Sequence, residues 1–297
     1  MLKFIKMDFY RVSRQKSTFI FLAIVVGIVL MTLGATRLEQ ELLNSDLLTA
    51  EETQIFTSTM EMTDSADSGI LAGGIGMNVN PSLEWMDPDS EVPVFEFAEQ
   101  PLKGGMIAIL IMVYAVIFGY AERRNGYIKN LVGEKHFKAK LLLSKMSVVA
   151  VFTAVVFLVL YLAMMLFAPL IMMNSISYSI SGDMFLAIIA QYAVHLALGA
   201  FTLLLTIIFE GTTLPIVIGT LLSMGIFGLL YNLINSLILK LFDKAVSVAN
   251  YLPSGQLRLM NGGAADGDIS RGFIVAGVFI VLYLILACFI AEKKDVK

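Results

Sequence analysis

The chain has little of what a folded soluble protein relies on. Its 297 residues include one cysteine, Cys288, so no disulfide can form within it. Seven prolines exclude a collagen-like fibre or a proline-rich disordered chain. Two histidines, His136 and His195, with no H-E-x-x-H, leave a zinc-dependent intramembrane protease short of ligands. No G-x-S-x-G elbow offers a serine nucleophile, and no G-x-x-x-x-G-K-[ST] loop cradles a nucleotide phosphate, so the chain supplies no ATP site of its own. Asp64 to Gly69 lacks the closing Glu of a calcium loop and reads as solvated. Charged residues make up only 15% of the chain, against about 25% in soluble domains, which excludes an ordinary soluble enzyme.

What is present is apolar: 58% hydrophobic side chains and a mean hydropathy of +0.81. A bilayer crossing needs about 20 mostly apolar residues, and six segments qualify: 18–36, 102–121, 146–173, 184–209, 213–234 and 273–291. The fold class expected is an all-α polytopic membrane protein of six transmembrane helices. The first span is expected to be retained, because its apolar run exceeds a signal-peptide core and no A-x-A-like site follows Gly34-Ala35-Thr36. No internal repeat is visible.

Lys and Arg near the span ends predict the sides. Residues 1–17 carry Lys3, Lys6, Arg11, Arg14 and Lys16, and residues 122–145 carry seven basic groups, so both are expected in the cytoplasm. Residues 37–101 hold fourteen carboxylates against one basic residue, Arg37, and are expected outside as a large acidic loop. Both termini then lie inside, with Lys293, Lys294 and Lys297 in or beside the tail, 292–297. Within the acidic loop, Leu38 to Leu48 continue the first span as a helix and Val92 to Phe97 read as a short strand. Residues 174–183 form a short outer loop. In the outer connection 235–272, Leu237 to Leu252 mix apolar and charged residues as a short interfacial helix does, and Pro253 to Ser270 read as loop.

Before the first span, Leu2, Ile5, Phe9 and Val12 recur at helical spacing, which predicts an interfacial helix with this stripe buried and Phe4 pointing away from it. After the second span comes Glu122-Arg123-Arg124-Asn125-Gly126-Tyr127-Ile128-Lys129-Asn130-Leu131-Val132-Gly133. Asn125-Gly126 signals a turn and Gly133 a helix stop, leaving a short helix with Ile128, Leu131 and Val132 on one side. A stub of about two turns is marginal alone and needs a surface to pack on.

In this topological setting the chain resembles the type-2 ABC exporter permeases, the membrane halves of ATP-binding-cassette transporters. The resemblance rests on the N-terminal interfacial helix, the six spans, Glu122 closing the second span, the run Gly126-Tyr127-Ile128-Lys129-Asn130-Leu131, and Lys145 at the start of a long third span. The proline that often follows the short helix in that family is replaced here by Gly133-Glu134-Lys135-His136. The resemblance implies that Gly126 through Val132 form a coupling helix docking on a separate ATPase. Glu122 with Arg123 or Arg124 would be the charged hinge, and Glu210 a second ATPase contact. It further implies a second permease as partner, homodimeric or paralogous, with ATP and Mg bound by the ATPase and no cofactor by this chain. The setting is a bacterial plasma membrane, no nucleic acid is expected as a partner, and such permeases often export peptides, toxins or antimicrobial compounds.

Polar groups inside the apolar spans are costly and mark either a path or a helix contact. Gln191 and His195 share a face of the fourth span, and Tyr231, Asn232 and Asn235 cluster toward the outer end of the fifth. They are candidates for the translocation path. The competing readings are interhelical hydrogen bonding for the first pair and contact with headgroups and water for the others. Thr213 reads as the N-cap of the fifth span, with Pro215 in its first turn. Two rival functions remain at this point: a non-transporting sensor or assembly protein that binds through its acidic loop, and an ion-driven secondary transporter.

Overall fold

In hydrocarbon every backbone N–H and C=O must be bonded internally, so apolar runs of this length fold as helices. The computed structural model describes residues 2–43, 90–124, 137–172, 175–260 and 266–294, without the side chains of Leu2, Leu43, Arg123, Arg124 and Asp266. Helix α1 (Leu2–Arg14) is separated from α2 (Lys16–Leu43) by Gln15 alone. The Thr18 hydroxyl donates to the Val12 carbonyl at 3.2 Å across this joint. Strand β1 (Glu91–Pro93) leads into two short helices, α3 (Val94–Ala98) and α4 (Gln100–Lys103), and then α5 (Met106–Arg124). There follow α6 (Phe137–Ile171), β2 (Ser175–Ser177), α7 (Gly182–Phe209), α8 (Thr213–Ser223) and α9 (Gly228–Phe242). A 3₁₀ turn (Val248–Tyr251), α10 (Pro253–Leu259) and α11 (Asp266–Lys293) complete the described chain.

Helices α2, α6, α7 and α11 are each long and apolar enough to cross a membrane. Two bent pairs bring the number to as many as six: Val94–Lys103 with Met106–Glu122, bent by 55°, and Thr213–Ser223 with Gly228–Phe242, bent by 63°. The protein is thus a helical membrane protein. Helix α5 lies in the core, with Ile107, Ile111, Tyr114 and Phe118 buried against Val149, Phe152 and Val156 of α6 and Leu203 of α7. Tyr114 stacks on Phe152 with ring centroids 3.5 Å apart, and Phe21 of α2 meets Tyr114 edge-on at 5.5 Å. Buried Thr153, Thr202 and Thr206 return their hydroxyl protons to carbonyls of their own helices.

Both bends sit at glycines. Gly105 has φ +77°, and a Cβ there would lie 2.6 Å from the Ser223 carbonyl oxygen at the end of α8. Gly225 has φ +75°, and the Arg258 guanidinium occupies the space a side chain would need. Only glycine takes this left-handed backbone without strain. The break in the second pair corrects the expectation of one uninterrupted fifth span over 213–234.

Other local expectations change as well. The strand read over Val92–Phe97 is confined to Glu91–Pro93, which pairs in parallel with Ser175–Ser177 in the expected outer loop. Val94, Phe97 and Ala98 are all buried, a three-and-four spacing that only a helix places on one side. Pro253 to Ser270 is not plain loop, because Pro253 occupies the first turn of α10 and the start of α11 lies at Asp266. Helix α9 runs on to Phe242, through the first part of the expected interfacial helix at Leu237–Leu252. Thr213 lies inside α8, and the flanking Thr212 makes no side-chain cap bond. On α1 the buried residues are Phe4 and Asp8, while Ile5, Phe9 and Val12 are half-buried, so Phe4 faces the bundle rather than away from it.

Candidate functional site

Five side chains from three helices meet at the end of α5. Glu122 is one helical turn after Phe118 and is 1% exposed. From α1, Asp8 and Arg11 stand three residues apart on one face, and from α6 come the adjacent Ser144 and Lys145. The Arg11 guanidinium donates to Glu122 Oε1 at 3.1 Å, and Lys145 Nζ lies 2.5 Å from Glu122 Oε2. Lys145 also donates to the Phe118 carbonyl at 3.1 Å and sits 4.9 Å from the centre of the Phe118 ring. The Ser144 hydroxyl donates to Asp8 Oδ2 at 2.6 Å, and Arg11 Nη1 is 4.0 Å from Asp8 Oδ1.

Two carboxylates thus face two cations in a region from which water is largely withdrawn. Asp8 is fully buried and Lys145 is 5% exposed. Burial holds the Asp8 carboxyl above its ordinary range, and the Glu122 charge adds to this. The Ser144 hydroxyl, Lys145 and Arg11 oppose it without cancelling it. Taking such charges out of water is expensive, so the cluster contributes a defined mutual placement of α1, α5 and α6 more than net stability. The arrangement is a charged joint between three helices.

Among the described residues Glu122, the acid of the expected hinge, is held by Arg11 and Lys145. Arg123 and Arg124 end α5, with side chains outside the described residues. The expected docking helix, with Gly126, Tyr127, Ile128, Lys129, Leu131 and Val132, lies outside the described residues as well. The sequence did contain a signal for the missed partners. Asp8 is the only acid among five basic residues in 1–17, and an isolated acid in a basic helix invites a search for a specific partner.

The remaining candidate residues fall into two other places. Gln191 Nε2 donates to the carbonyls of Leu257 at 3.0 Å and Met260 at 2.6 Å, closing the C-terminal end of α10. His195 Nδ1 lies 2.7 Å from the Gln191 carbonyl, and its ring meets Phe157 edge-on at 5.2 Å. The Tyr231 and Ser254 hydroxyls are 2.8 Å apart at the start of α10, and Asn235 Oδ1 accepts from the Val248 N–H at 2.8 Å. Asn232 is half-buried, with its carbonyl accepting from the Ser236 hydroxyl at 2.9 Å. Gln191 and Tyr231 therefore both act on α10, the segment expected to be loop. Glu210 ends α7 with φ +51° and pairs with Lys294 Nζ at 3.1 Å. The same ammonium donates to the carbonyls of Ile207 and Ile208, each at 2.8 Å, and so caps α7.

Among the described residues no group of three or more His, Cys, Asp or Glu is placed to hold a metal ion. No curated protein matches the chain. A family model described as a protein of unknown function, DUF2705, matches residues 77–297, and the chain belongs to that family.

Proposed function

We propose that this chain is the membrane permease subunit of an ATP-driven exporter of the type-2 ABC class. It has six spans with both termini on the cytoplasmic face of a bacterial plasma membrane. It works as a dimer, with an identical or paralogous permease, on two separate ATPase subunits that bind ATP and Mg. The substrate class is a peptide, toxin or antimicrobial compound.

The observation that supports this reading is the charged joint around Glu122. An element that docks on a moving ATPase must be tied to the bundle at its root, or its displacement is lost in a flexible connection. Glu122 stands two residues before the end of α5 and is gripped by both α1 and α6. Displacement of the segment that follows α5 would be passed through it to α6, the longest described helix.

Purification of the chain from its native membrane, with a search for an ABC ATPase that accompanies it, tests the proposal. Stoichiometric recovery of the ATPase, abolished by Ile128→Asp with Leu131→Asp, is the expected result. Recovery of an outer-surface partner alone overturns it in favour of a non-transporting binding protein. Transport by the chain alone in liposomes, driven by an ion gradient and without ATP, overturns it in favour of a secondary transporter.

A further inference from the structure

The buried Lys145 ammonium is answered by the Glu122 carboxylate. Arg258 has no such answer. It lies on α10, where the adjacent Leu257 is fully buried among Met112 of α5, Leu198 of α7 and Ala276 of α11, so this helix stands within the bundle. The Arg258 guanidinium rests over Gly225 at the bend between α8 and α9, where a Cβ would fall 2.7 Å from its central carbon. Among the described residues it makes no ion pair and no hydrogen bond, and Arg258 is half-buried, with surface left to meet a ligand. One turn earlier on the same face of α10, the Ser254 hydroxyl meets the Tyr231 hydroxyl of α9 at 2.8 Å. Two hydroxyls that share one hydrogen bond keep a second proton to donate. Helix α10 and the α8–α9 bend thus border a seam that carries an uncompensated cation and a hydroxyl donor.

A lone cation among apolar helices is costly, and such charges mark ligand sites and transport paths. The guanidinium fork matches the two oxygens of a carboxylate. Its single charge is neutralised by a monoanion, whereas a doubly charged phosphate would leave a negative charge among apolar groups. Leu222, Ile226 and Phe227 of the same bend are half-buried and offer apolar surface beside it. We propose that the seam binds an apolar molecule through a single carboxylate, as at the C-terminus of a hydrophobic peptide, with the carboxylate on Arg258 and the Tyr231–Ser254 pair as a second donor. Binding needs no ATPase, so the site stands or falls separately from the exporter reading. On that reading it is where the exported molecule is held.

The test uses the full chain, purified without an ATPase, in phosphatidylcholine nanodiscs. The probe is dansyl-trileucine in two forms, free acid and C-terminal amide, with binding counted above that of empty nanodiscs. The parent is expected to bind the acid about tenfold or more tighter than the amide, the effect of one charge-assisted pair. Arg258→Gln should bring the two forms to within about twofold of each other. Arg258→Lys keeps the charge without the fork and should retain part of the preference, and Lys240→Gln, at an exposed position of α9, should leave it unchanged. Should R258Q fail to fold, the parent alone decides: equal binding of acid and amide shows that the guanidinium is already neutralised and overturns the proposal. Equal losses of preference in R258Q and K240Q overturn it in favour of diffuse charge. Loss of acid binding when phosphatidylglycerol replaces part of the phosphatidylcholine overturns it in favour of a lipid phosphate. Competition by dodecanoate as strong as that by unlabelled trileucine upholds the site and assigns it to fatty acids, and weaker competition upholds it for peptides.

Discussion

Replacing Glu122 by Gln tests the joint between α1, α5 and α6 directly. The amide oxygen can still accept from Arg11, which approaches at 3.1 Å, but the charge facing Lys145 at 2.5 Å is gone. Lys145 is 5% exposed and keeps one acceptor, the Phe118 carbonyl at 3.1 Å. An ammonium left buried without its counter-charge costs about 3–5 kcal/mol. Arg11, with a side chain 30% exposed, retains water and adds about 1 kcal/mol or less. Lys145→Met alone leaves Glu122 paired only with Arg11 and is expected to cost about 1–3 kcal/mol. The double variant E122Q/K145M removes both charges, so it should lose less than the two single losses added together, by about 2 kcal/mol. Reversible unfolding in mixed micelles, titrated with denaturing detergent, measures all four proteins. If the losses add to within about 0.5 kcal/mol, the two residues are not coupled and the reasoning about the joint fails.

Further outcomes are expected elsewhere. Asp8→Asn should be more stable than the parent at neutral pH and equal to it in acid. The folded carboxyl titrates above its unfolded value, so the stability it contributes is complete below the unfolded pKa and is lost as pH rises through the folded one. Unfolding measured from pH 4 to 8 would show this, and parallel curves would refute it. Gly105→Ala should destabilise by about 2 kcal/mol or more, since the new Cβ meets the Ser223 carbonyl at a positive φ, whereas Gly27→Ala, with nothing within 4 Å, should be neutral or stabilising in thermal melts. Gln191→Leu strips the donor from the Leu257 and Met260 carbonyls at a cost of about 1–3 kcal/mol. Faster amide exchange across 253–260 would report the loosened end of α10.

The long helices were legible because a run of some twenty apolar residues has one physical solution in a bilayer. The breaks were harder to see. Gly225 and Gly228 lie within a continuous apolar stretch, and hydropathy does not register a change of backbone hand. The face of α1 was misread at Phe4 for a related reason. Hydrophobic periodicity ranks Asp8 as solvent-facing, and only the pairing of Ser144 with Asp8 and of Arg11 with Glu122, across more than a hundred residues of sequence, turns that face inward. Glu122 was identifiable by its position at the end of a span, but its partners were set by tertiary packing. Helix α10 was hidden by its glycine: Gly255 reads as a loop residue, yet its missing Cβ is what lets the helix lie against the Ala249 backbone.

The bend between α8 and α9 also bears on the bilayer itself. The eleven residues of α8 give a rod of about 16 Å, half of the roughly 30 Å of hydrocarbon a span must cross. With α8 upright, α9 turned by 63° adds only about 10 Å of height from its fifteen residues. Leu229, Leu230, Leu233, Leu237, Leu241 and Phe242 are exposed along α9 and form an oblique greasy shelf. Where α8 and α9 cross a bilayer as one span, lipid tails on this flank would have to shorten or tilt to match it, thinning the surrounding leaflet on one side of the molecule. Hydrophobic thickness then becomes a control variable: a thicker bilayer favours straightening at Gly225 and a thinner one favours the bent form.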